Sequence, residues 1–99
     1  MHMAMKSLRA SISDALSIFL SEYDIDSAPD FLVDAVEEEI APALSRYQKD
    51  GRNIDEVTGA IWDSSIFALR DITNEEKTRY SDIMYATLLA HGQLASLHS

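Results

Sequence analysis

The chain has no cysteine among its 99 residues, which excludes disulfides and thiolate metal sites and agrees with a cytoplasmic setting. Glycine occurs only three times, at Gly51, Gly59 and Gly92, so no glycine-rich loop exists to cradle a phosphate. No apolar run approaches the roughly 18–20 residues of a membrane span. The opening lacks the basic-then-apolar pattern of a secretory signal. Met1-His2-Met3 reads as an added leader, with the native start at Met3 or Met5. Lysine and arginine are missing altogether between Arg9 and Arg46.

That last gap is filled with acid. Residues 22–39 hold Glu22, Asp24, Asp26, Asp30, Asp34, Glu37, Glu38 and Glu39, eight of the 17 acids, leaving nine acids for eight bases elsewhere. The net charge of −9 therefore resides almost wholly in one segment. A chain with no surplus of Lys or Arg cannot displace phosphate counterions, which argues against direct nucleic-acid binding. At 46% hydrophobic and 25% charged residues the composition is that of a globular protein, not of an acidic disordered tail. The length allows one domain.

Periodicity predicts four helices and no strand, hence an all-α antiparallel four-helix bundle. The first, over residues 4–23, places Met5, Leu8, Ile12, Leu16, Phe19, Leu20 and Tyr23 on one stripe, with Ser11, Asp14 and Glu22 opposite. Ser27-Ala28-Pro29-Asp30 reads as the next helix start, with Ser27 as cap and Asp30 as acidic partner. This second helix buries Leu32, Val33, Val36, Ile40, Ala43, Leu44 and Tyr47, keeps its phase through a kink at Pro42, and stops at Asp50-Gly51. The third opens at Asn53, capped with Glu56, and its stripe runs Ile54, Val57, Ile61, Ala68, Leu69 and Ile72, with Thr58 and Ser65 among them. Thr73-Asn74-Glu75-Glu76 is a capping box. It opens a last helix to about residue 96, with Tyr80, Ile83, Met84, Thr87, Leu88, His91, Leu94 and Ala95 inward.

Two surfaces stand above background. Asp30, Asp34 and Glu38 recur every fourth residue with Glu37 beside them, forming a solvent-facing carboxylate strip. Neighbouring like charges on a helix cost about 0.2–0.5 kcal/mol per pair, and a face kept only for solubility normally mixes signs. The expectation is a partner-binding face of Glu22, Asp24, Asp26, Asp30, Asp34, Glu37 and Glu38, suited to a basic protein surface. The second is apolar: Trp62 and Ile66 beside Gly59, with Tyr85 and Leu89 across the short turn, expected as a homodimer interface.

Catalysis and metal binding find no support. Inward Glu-x-x-His pairs are absent, Asp24-Ile25-Asp26 lacks the glycine and terminal glutamate of a calcium loop, and His91 reads as a satisfied core residue. The expected protein is no enzyme and uses no cofactor or metal. It is a small acidic bundle that binds and blocks a basic, nucleic-acid-binding surface of another protein. Phage-encoded inhibitors such as anti-CRISPR proteins share that composition, as do bacterial immunity proteins and antitoxins; the analogy is one of class. The alternative is a self-associating structural or adaptor bundle whose acid only solubilises.

Overall fold

The computed structural model describes residues 7–51, 54–63 and 72–94. They form four helices, α1 (Leu8–Leu20), α2 (Asp30–Asp50), α3 (Ile54–Trp62) and α4 (Asn74–Ala90), with a 3-10 turn at Ser21–Tyr23 after α1. No strand occurs among the described residues, and none of the described helices is long and apolar enough to cross a membrane.

Each helix packs on its neighbour in sequence, and α4 closes the ring against α1. Contacts between α1 and α4 run in opposite order along the two helices: Ser11 meets His91, Phe19 meets Tyr80, and Tyr23 meets Glu76. The core is one cluster fed by all four helices, with Ile12, Leu16, Phe19, Val36, Ile40, Val57, Ile61, Tyr80, Met84 and Leu88 essentially inaccessible. All seven positions of the predicted α2 stripe are buried. A helix commits one side to the core, and twenty-one residues sample that side often enough to make the period unambiguous.

The helix ends divide into those with local signals and those without. Gly51 takes φ 72° at the end of α2, and its N–H donates to the Tyr47 carbonyl at 2.7 Å. Thr73 and Glu76 form the reciprocal capping box of α4. At the start of α2 the expectation fails: the helix begins at Asp30, Pro29 occupies the cap position, and Ser27 does not cap. A proline pushes the residue before it out of helical conformation, so no helix starting at Ala28 could continue through Pro29. The carbonyl of Pro29 accepts from both Leu32 and Val33 at 3.1 Å instead.

Pro42 lies inside α2 without dividing it, at an exposed position where water can serve the Glu38 carbonyl that loses its donor. The predicted end of α4 is also corrected. The helix stops at Ala90 because Gly92, at φ 81°, reverses the chain. Gln93 N–H donates to Leu88 O at 2.8 Å and Gly92 N–H to Leu89 O at 3.2 Å, the paired bonds of a Schellman turn.

Two positions face the other way from their expected side. Ser11 is fully buried because α4 covers that flank of α1; its hydroxyl bonds the Ser7 carbonyl at 3.1 Å and lies 3.0 Å from His91 Nδ1. Thr58 is exposed and bonds the Ile54 carbonyl of its own helix. The proposed cap Asn53 and the stripe residues Ser65, Ala68, Leu69 and Ala95 lie outside the described residues. Glu56 gives both carboxylate oxygens to Arg46, tying α3 to α2, and the guanidinium holds this carboxyl below its ordinary value.

Candidate interaction surface

The acid-rich segment comprises the 3-10 turn after α1, the connection to α2, and roughly the first three turns of α2. Asp24 ends the 3-10 turn at φ 63°, a left-handed conformation that Asp tolerates better than most residues. The chain then passes back over α1, where Ser17 Oγ accepts the Ala28 N–H at 3.3 Å. Asp24, Asp26, Asp30, Asp34 and Glu38 are all exposed, and Glu37 is half-buried.

The strip is not free of positive charge. Arg9 reaches across from α1 to Asp34, which its Nη1 contacts directly, to Glu37 at 3.6 Å and to Asp30 at 3.8 Å. Hydrogen bonding to Asp34 raises the Arg9 guanidinium above its ordinary value; partial burial offsets this, and attraction from Asp34, Asp30 and Glu37 reinforces it. Glu22 is similarly held by Arg79 of α4 at 2.7 Å. The expectation of an unrelieved carboxylate face is thus corrected: three of the four carboxylates of the strip, Asp30, Asp34 and Glu37, share one guanidinium. Asp24, Asp26 and Glu38 form no ion pair among the described residues.

This pairing reverses the sign of one stability expectation. From helix spacing alone, Asp34→Lys relieves two repulsions and raises the melting temperature by a few degrees. In the fold it removes the acceptor of Arg9 and places a second cation beside it. The variant is therefore expected to melt below wild type at low salt, with the deficit shrinking as salt screens the network. Thermal melts at low and high salt check this, and a higher melting temperature at low salt would show that Arg9 adds nothing.

Two large apolar side chains stand exposed within the same corner: Ile25 at 41% and Phe31 at 64%, the most exposed large hydrophobic of the described chain. Neither stands out by composition. Phe31 was nonetheless detectable, because its register on α2 is opposite the core stripe and in line with Asp34 and Glu38.

Of the second predicted surface, Gly59, Trp62, Tyr85 and Leu89 lie among the described residues. Trp62 is half-buried and lies under the Lys77 ammonium, 5.0 Å from the ring centroid, in the first turn of α4. Tyr85 and Leu89 are more than two turns further along that helix; Tyr85 packs partly against the core and Leu89 is 39% exposed. A Cβ on Gly59 would meet nothing within 4 Å, so packing inside the chain does not demand glycine there. Ile66 lies outside the described residues.

Between α1 and α4 runs an open groove of about 500 Å³, lined by Asp14, Ser17, Ile18, Ala86, Thr87, Ala90 and His91. His91 is half-buried, with Nε2 3.8 Å from Asp14 Oδ2. Serine, histidine and aspartate meet here, yet they are not arranged as a nucleophile with its base. Ser11, which contacts His91 Nδ1, is inaccessible and also bonds the Ser7 carbonyl, so its hydroxyl is not presented to a substrate. Among the described residues no group of His, Asp and Glu is placed to hold a metal ion. No family model matches this chain, and neither does any curated protein or solved structure.

Proposed function

We propose that the chain is a small acidic interaction protein that docks on a basic surface of another protein and blocks it. The supporting observation is the acidic segment from the end of α1 into α2, where Asp24, Asp26 and Glu38 are exposed and form no ion pair among the described residues, and where Phe31 is 64% exposed. Carboxylates that no internal cation neutralises raise the on-rate toward a positive surface, and desolvated apolar anchors slow departure. Such a surface competes for protein sites that ordinarily bind phosphates, as inhibitors of the anti-CRISPR kind and immunity proteins or antitoxins do. The reading needs no cofactor and no catalytic step, and places the protein in the cytoplasm.

The test is capture of lysate proteins on the immobilised chain, released by a salt gradient and identified by mass spectrometry. Retained proteins should be strongly basic and should elute as screening grows. A retained set with no basic bias would remove the reading.

One observation favours a second reading, self-association. The outer face where α1 meets α4 exposes Ile18 at 52%, Leu89 at 39%, and Ala86 and Ala90 between them. If two copies meet there, light scattering will show a dimer mass that Leu89→Lys reduces to monomer, with helicity retained. A monomer mass at high concentration excludes it.

A further inference from the structure

Resting on the reading above, the outward side of α2 specifies which basic side chain the partner presents. Helical register, about 100° per residue, sets Asp34 three positions and Glu38 seven positions after Phe31 on one exposed side. Leu32, Val33, Val36 and Ile40 take the opposite side into the core. The three acids that Arg9 engages lie toward α1, with Asp34 nearest Phe31, so the ring stands about 60° or more further round the helix. Arg9 uses Oδ1 of Asp34, and Asp34 keeps a side-chain exposure of 58%. Glu38 is exposed and unpaired among the described residues.

We infer that Phe31, together with Glu38 and Asp34 Oδ2, receives an arginine of the partner. A guanidinium is planar and weakly hydrated, so it can lie on the exposed aromatic face while its N–H fork reaches carboxylates one and two turns along. A lysine ammonium is compact and strongly hydrated, and gains less from the ring. The same helix already gathers three of its acids around one guanidinium, that of Arg9.

The experiment titrates capped hexa-arginine and hexa-lysine peptides into isotope-labelled protein at low salt, followed by amide chemical shifts. Hexa-arginine should bind about two- to fivefold tighter, the margin of an exposed cation–π contact, with shifts centred on Phe31, Asp34 and Glu38. Phe31→Leu keeps an apolar side chain but removes the ring, and should cut that margin; Phe31→Trp should keep or widen it. Because Phe31 is exposed, unchanged circular dichroism is expected for both. Equal affinity for the two peptides, or an undiminished margin in Phe31→Leu, overturns the inference while leaving the acidic surface standing. If neither peptide binds, the acidic-surface reading falls and this one with it.

Discussion

Replacing Phe19 by Ala should remove about 3–5 kcal/mol of stability, the cost of truncating a large aromatic in a sealed core. Phe19 is 1% exposed and links α1 to the two elements that flank it. Its ring meets Tyr80 of α4 edge-on, centroids 5.4 Å apart at 73°, and Tyr23 at 5.4 Å and 59°. Both geometries suit the aromatic quadrupole, so the truncation loses pair contacts as well as buried area. A domain this size holds about 5–15 kcal/mol in total, so the variant should be near the edge of folding. At about 4–8 °C per kcal/mol the melting temperature should fall by more than 10 °C. Urea unfolding of Phe19→Ala measures the loss directly. A cost under about 1 kcal/mol would mean that Phe19 is not sealed in the core.

The largest functional effect is expected from Asp24→Asn, Asp26→Lys and Glu38→Lys combined. Asn is chosen at position 24 because the left-handed φ of 63° suits Asn and would strain Lys. The three changes take the net charge from −9 to −4, one charge for Asn and two for each Lys. None touches an ion pair among the described residues, so the melting temperature should hold. Association with the basic partner should slow by about tenfold or more at low salt, within the range electrostatic steering supplies, and the gap should close as salt rises. Stopped-flow or biolayer kinetics with the captured partner reads this out. A variant that associates at the wild-type rate would retire the acidic corner. Reversing Asp30, Asp34, Glu37 and Glu38 together, attractive from sequence alone, is the poorer test: it strands Arg9 among lysines and mixes folding with binding.

By itself the sequence determined the features whose causes are local. The four-helix architecture, the α2 stripe, the Gly51 stop and the Thr73–Glu76 box each depend on residues within one or two turns, and each was legible. The Gly92 stop is equally local, yet the apolar spacing of Leu94 carries the expected helix beyond it. What only the tertiary structure decided is how the helices rotate and which flanks they share. Ser11 looks solvent-facing on the wheel of α1, and is buried because α4 lies over it. Glu22 looks like a free acid until α4 brings Arg79 to 2.7 Å. Arg9 is 25 residues from Asp34 along the chain, yet α1 and α2 pack side by side and make it the strip's own counter-ion. A helix period reports one helix's exposed side and carries nothing about the neighbour's register. Ion pairing between helices, and so the part of the acid left for a partner, is settled by packing alone.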